Sequence, residues 1–158
     1  MSSQVLSEQT SCVSAFVALL RAHTATTRRL NAQLMSDHAL TLSDFEVLLR
    51  LARAPDTRMR RVDLAEQVLL TASGVTRLLD GLERSGLVER GACSTDRRVV
   101  YAVLTPSGLD RLREAASSHF AQVDNLFGGR FDTDELDELT ALLDRLSESE
   151  TEECAPPS

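Results

Sequence analysis

Residues 75–108 read VTRLLDGLERSGLVERGACSTDRRVVYAVLTPSG, and their pattern decides the fold. Val75, Leu78, Leu79 and Leu82 recur at i, i+3, i+4 and i+7, the spacing of one buried stripe on a helix. Ser73, Thr76, Arg77, Asp80 and Arg84 fall on the opposite face, and Gly86 stops the helix. Residues 87–90 and 99–104 then read as short strands around the loop GACSTDR, with Asp96, Arg97 and Arg98 in it. A helix with a polar outer stripe beside an arginine-tipped ribbon gives two ways to reach duplex DNA from one side.

Upstream, residues 11–34 read as a long helix with Val13, Phe16, Val17, Leu20, Leu30 and Leu34 on its apolar stripe. A second helix is predicted near Ser43, where Ser43 and Glu46 have capping-box spacing, with Phe45, Leu48, Leu49 and Ala52 facing inward. Pro55 and Asp56 end it. Residues 58–61 read as a basic loop leading into VDLAEQVLL, a short helix with Val62, Leu64, Ala65 and Val68 inside. A tight turn near Leu70 and Thr71 follows, Thr71 serving as cap for the next helix. Two such helices fit helix-turn-helix geometry, in which the second enters the major groove.

Downstream, Thr105 and Pro106 form an N-cap and first-turn pair opening a helix with Leu109, Leu112, Ala116, Phe120, Val123 and Phe127 along one side. Gly128 and Gly129 close it. Asp132 and Glu135 repeat the capping-box spacing before a last helix carrying Leu136, Leu139, Leu142, Leu143 and Leu146. The predicted fold is mainly α with a small β-hairpin: a winged helix-turn-helix whose N- and C-terminal helices form a dimerisation region. The expected organisation is an N-terminal helix over 1–40, the DNA-binding domain over 41–105, dimerisation helices over 106–147, and a disordered acidic tail over 148–158.

Composition permits this and excludes much else. The 158 residues are 42% hydrophobic, enough for a real core, and carry a net charge of -7. Divided at residues 40 and 105, the chain carries +1, +1 and -9, so the acidity belongs to its C-terminal part. All 17 basic residues are arginine, which suits bidentate contact with guanine and phosphate but is equally what a GC-rich genome encodes. Cys12, Cys93 and Cys154 are odd in number and lack zinc spacing, so they read as reduced thiols. His23, His38 and His119 are scattered, with no glycine-rich phosphate loop and no nucleophile elbow. No enzyme, metal or cofactor is expected. MSSQVLSEQT lacks the regions of a signal peptide and no apolar run is long enough for a bilayer, so a cytoplasmic chain with no membrane partner is expected.

From about Phe16 to Leu146 the arrangement resembles the MarR family of bacterial transcriptional regulators, most closely in VTRLLDGLERSGLVER, then DRR, then VLTPSG. The resemblance implies a homodimer on a pseudo-palindromic operator, acting as a repressor released by a small phenolic or aromatic carboxylate ligand. It implies base contacts from Ser73, Thr76 and Arg77, and a wing in which Asp96 orients Arg98 into the minor groove beside Arg97. Arg60, Arg61 and Arg84 are further candidates for phosphate contact. Gly81 and Gly74 depart from the family's pattern, leaving fewer hydrogen-bonding groups on this helix. The family's ligands bind between the long helices and the DNA-binding lobe, which nominates Arg21, His23 and His38. The family's redox branch offers an alternative through Cys12, near a helix N-terminus, or Cys93 in the wing; its sensing cysteine is supported by tyrosines, and here the only one is Tyr101. A winged helix serving as a protein-interaction module is the remaining alternative, and a flat salt dependence would favour it.

Overall fold

The computed structural model describes residues 2–68, 72–93, 95, 96 and 98–147. The chain divides into two compact units, Met1–His119 and Phe120–Ser158. The first unit opens with α1 (Ser2–His38), one continuous helix, followed by α2 (Leu42–Arg53). The capping box of α2 sits two residues before the predicted one. The Asp44 N–H donates to Thr41 Oγ1 at 3.0 Å and the Thr41 N–H to Asp44 Oδ2 at 2.8 Å. Glu46 is drawn elsewhere, to Arg50 one turn on at 2.8 Å. Asn31 on α1 accepts from the Leu42 N–H at 2.9 Å, satisfying another donor of the first turn.

The inner face of α2 is wider than one stripe. Phe45, Val47, Leu48 and Leu51 are buried, whereas Leu49 and Ala52 are only half-buried. The helix packs against α1 on one side and against the sheet and α4 on the others, so its buried arc exceeds the predicted i, i+3, i+4 pattern.

After a 3-10 turn at Pro55–Thr57, residues 58–61 depart from the expected basic loop. Arg58–Arg60 form strand β1, and Arg61 opens α3 (Arg61–Gln67). With β2 (Val88–Ala92) and β3 (Val100–Leu104) they make an antiparallel sheet of order β1–β3–β2, with Met59 opposite Ala102 and Gly91 opposite Tyr101. The wing hairpin is therefore anchored by a third strand. Leu64 in α3 and Val68 just after it are buried, but Val62, expected inside, is 64% exposed. Two turns of helix offer only one inward edge, and Leu64 takes it.

The turn near Leu70 and Thr71 lies outside the described residues. Beyond it, α4 (Ala72–Arg84) buries Val75, Leu79 and Leu82 and half-buries Leu78. It ends in a complete Schellman motif: Leu87 N–H donates to Leu82 O at 2.9 Å and Gly86 N–H to Glu83 O at 3.0 Å, with Gly86 at φ 72°. Buried Leu82 and Leu87 supply the apolar contact that accompanies this cap.

Thr105 caps α5 (Pro106–Phe127), its Oγ1 accepting from the Gly108 N–H at 2.9 Å. The same hydroxyl donates to Gly86 O at 2.7 Å, tying the end of α4 to the start of α5. Leu112, Ala115 and His119 are buried in the first unit. Phe120, placed by periodicity on the inner side, is 50% exposed.

The second unit holds the end of α5, a turn at residues 128–130 and α6 (Thr133–Ser147). The capping box before α6 forms as read: Glu135 N–H donates to Asp132 Oδ1 at 2.9 Å and Asp132 N–H to Glu135 Oε2 at 3.0 Å. The leucine stripe of α6 is largely uncovered, with Leu142, Leu143 and Leu146 exposed. The acidic segment 148–158, including Cys154, lies outside the described residues. No helix among the described residues is long and apolar enough to cross a membrane.

Candidate nucleic-acid interface

Because Val75, Leu79 and Leu82 anchor α4 to the core, helical geometry turns Ser73, Thr76, Arg77 and Arg84 outward, and all four are exposed. Arg77 has no ion pair among the described residues. Its local competitors, Asp80 and Glu83, are taken by other cations. Arg84 Nε donates to a backbone oxygen, Asp80 O, at 3.2 Å, and among the described residues its guanidinium has no ion pair.

Asp80 and Glu83 face α3 and β2. Arg90 Nε donates to Glu83 Oε2 at 3.0 Å and its Nη2 to Asp80 Oδ1 at 3.4 Å. Arg61 Nη2 lies 3.7 Å from both Asp80 Oδ1 and Glu83 Oε1, with its side chain only 19% exposed. Hydrogen bonding to Glu83 raises the Arg90 pKa above its ordinary value. Arg60 is held differently: Nε and Nη2 each donate to an Asp63 oxygen at 2.7 Å, and that pairing raises its pKa. Both sequence-nominated cations of this segment thus carry carboxylate partners within the chain.

The wing places its charge in the opposite way. Asp96 Oδ1 accepts from the Arg98 N–H at 2.9 Å and from Arg98 Nε at 3.2 Å, while Oδ2 accepts from Nη2 at 3.4 Å. These bonds, the backbone one foremost, lower the Asp96 pKa. The Arg98 side chain remains 91% exposed, so the carboxylate sets its direction without removing it from solvent. Arg97 lies outside the described residues. Cys93, half-buried at the ribbon's end, has Thr95 Oγ1 3.2 Å from its sulfur, and hydrogen bonds to Thr95 and the Asp96 backbone lower its pKa.

The other nominated residues do not converge. Arg21 and His23 are exposed on α1. His38 ends that helix fifteen residues beyond His23, about 22 Å along the axis. Its Nε2 is 2.7 Å from Ser118 Oγ, and its carbonyl accepts from Arg111 Nη1 at 2.8 Å. A cleft of about 370 Å3 opens there, lined by Asp37, His38, Arg111 and Glu114 among others. Cys12 is exposed but ten residues inside α1, beyond the first turn where a helix dipole favours a thiolate. The expected placement near a helix N-terminus does not hold.

Sequence reasoning missed a groove of about 750 Å3 between α2 and the sheet, lined by Arg50, Arg53, Arg58, Arg60 and Tyr101 among others. The Arg58 guanidinium carbon sits 4.9 Å from the Tyr101 ring centroid there. The groove exists only because 58–60 is a strand, which no local pattern announced. The second bond of Thr105, to Gly86, was likewise invisible, since its partner lies nineteen residues away.

Two short helices, a three-stranded sheet and a β2–β3 loop presenting an oriented arginine define the winged helix-turn-helix class of DNA-binding proteins. A family profile described as "MarR family" matches residues 40–100. The HTH-type transcriptional regulator MhqR of Bacillus subtilis (strain 168) is 30% identical over 111 residues, 70% of this chain and 74% of that protein. AbsC, a MarR family regulator from Streptomyces coelicolor, superposes with TM-score 0.80 at 32% identity, covering 86% of this chain and 91% of its own. Sco3205 from the same organism, solved in complex with DNA, gives 0.81 at 27% identity over 85% of this chain and 84% of its own. The chain belongs to the MarR family. It is a DNA-binding transcriptional regulator, not an enzyme.

Proposed function

We propose that this protein is a repressor that binds a pseudo-palindromic operator as a homodimer. In this reading Ser73, Thr76 and Arg77 face bases in the major groove. Arg84 lies near phosphates, and Arg98, with Arg97 beside it, enters the minor groove. The observation that carries the reading is the wing: an arginine 91% exposed yet bonded three ways to one aspartate is oriented for an external partner. Support for the homodimer comes from apolar side chains that one chain leaves uncovered, Val13 and Phe16 on α1 and Leu142 and Leu146 on α6. The regions 1–40 and 106–147 are assigned to it, leaving 41–105 to DNA, with half-sites about 34 Å apart. Selection of duplexes from a random pool, followed by titration at several salt concentrations, tests this. A palindromic consensus with a steep salt slope is expected; a flat slope favours a protein-interaction module.

For control, we infer a small phenolic or aromatic carboxylate at the His38 cleft, where Arg111 supplies a cation. Arg21 and His23 join such a site only from a second copy. Calorimetric titration of wild type and His38→Ala with phenolic acids tests this, and equal affinity removes His38. The lowered thiol pKa of Cys93 favours a second reading, oxidant control from the wing. Peroxide treatment of Cys93→Ser against wild type separates the two.

A further inference from the structure

The acids of the recognition helix do not share the outward face with Arg77. Asp80 and Glu83 turn inward and are shared by the same two arginines, Arg61 from the first residue of α3 and Arg90 from β2. Two positive and two negative groups thus bridge three elements: the start of α3, the second half of α4 and the wing's first strand. We propose that Arg61 is a specificity-determining positioning residue, which fixes the angle of α4 against α3 and the wing through Asp80 and Glu83 and makes no phosphate contact itself.

Three observations carry this. Arg61 Nη2 is fully buried and has no hydrogen bond, so its position is set by the two carboxylates 3.7 Å away rather than by solvent. The two anchored acids flank Gly81, which has nothing within 4 Å of where a Cβ would stand. Glycine weakens a helix interior, and α4 is held on both sides of it by the same pair of guanidiniums. Finally, Asp80 and Glu83 on a groove-facing helix would repel phosphate if unpaired. Arg61 and Arg90 neutralise them and leave Arg77 and Arg84 as the outward cations. A change in helix direction shifts every base contact along α4 together, so a clamp of this kind acts on discrimination rather than on charge.

The inference rests on DNA binding by this domain, and its test distinguishes the two. Wild type, Arg61→Gln and Arg61→Lys are titrated against a duplex selected by the wild type from a random pool and against its scrambled sequence, across a salt series. Arg61→Gln is expected to lose about tenfold in affinity for the selected duplex, the scale of coupling within one ion network. Because Arg90 still bonds both acids in this variant, its affinity for the scrambled duplex and its log–log salt slope stay near those of wild type, and Arg61→Lys recovers part of the loss. If both duplexes lose affinity together and the slope weakens by about 0.9, Arg61 holds a phosphate and the proposal fails. Glu83→Gln repeats the test from the carboxylate side with Arg61 in place. It too should lose preference for the selected duplex, and undiminished preference overturns the proposal even if Arg61→Gln does not fold. Failure of wild type to select any duplex would instead strike the DNA-binding reading.

Discussion

Removing the Asp96 carboxylate sets two effects of opposite sign against each other, and the structure says which dominates. Asp96→Ala deletes a negative charge from a ribbon directed at phosphate, which by Coulomb's law alone should tighten DNA binding. It also deletes the acceptor of three Arg98 bonds, at 2.9, 3.2 and 3.4 Å. With 91% of its side chain in solvent, Arg98 has no other bond to direct it among the described residues, so binding must then order a free side chain. Ordering one long side chain on association weakens affinity about two- to tenfold. We expect this loss to prevail, because on an exposed ribbon solvent and salt screen the gain in charge, whereas the bonds that direct Arg98 are lost outright. The assay is fluorescence anisotropy with the selected duplex for wild type, Asp96→Ala, Arg98→Ala and the double variant. Arg98→Ala should cost about ten- to a hundredfold and lower the salt slope by about 0.9. In that background Asp96→Ala should cost far less, only what its bond to the residue 98 N–H contributes, since no guanidinium remains to orient. Tighter binding by Asp96→Ala, or an equal cost with and without Arg98, would refute the reasoning.

Thr105→Ala removes both an N-cap and the bond to Gly86 O, and should destabilise the fold by about 1–3 kcal/mol in urea, while Thr105→Ser stays near wild type; equal losses would show the hydroxyl to be irrelevant. Gly108→Ala would drive a Cβ into the Leu87 carbonyl and the Leu104 side chain, so it should be among the most damaging single-methyl changes in the chain, read as a lowered thermal midpoint. Burial lowers the His119 pKa, so the unfolded chain takes up this proton first as pH falls: the stability is complete above the unfolded value of about 6.5 and declines below it. Urea titrations of wild type and His119→Phe should therefore diverge between pH 7.5 and 5.5, and parallel curves would exclude the residue as their source. Leu142→Glu with Leu146→Glu should shift the light-scattering mass toward the monomer if the α6 face is the interface proposed above.

What was legible in the sequence was what local chemistry decides. The stripe from Val75 to Leu82, the stop at Gly86 and the Asp132–Glu135 box each depend on neighbours within a turn or two, and each forms as read. The capping box of α2 was misplaced because Thr41 with Asp44 and Ser43 with Glu46 have the same spacing. The choice between them was made by groups outside the pattern, Arg50 claiming Glu46 and Asn31 capping Leu42. Strand β1 was illegible for a stronger reason: three residues reading Arg-Met-Arg carry no periodicity, and their conformation is imposed by β3, some forty residues later.

The same distinction governs the arginines, whose number a sequence shows and whose availability it does not. Residues 41–105 contain ten of them, and counting each as a phosphate contact would predict a very steep salt dependence. The fold spends Arg50 on Glu46, Arg60 on Asp63, and Arg61 and Arg90 on Asp80 and Glu83. Arg77, Arg84 and Arg98 are left facing outward from the helix and wing, Arg53 and Arg58 are exposed at the groove between α2 and the sheet, and Arg97 lies outside the described residues. Pairing within the chain thus lowers the number of counterions that DNA can release on binding, and it does so most at the segment that looked richest in charge. A measured slope per protomer should follow the outward set, and a slope matching all ten would mean that the inward pairs open when DNA binds.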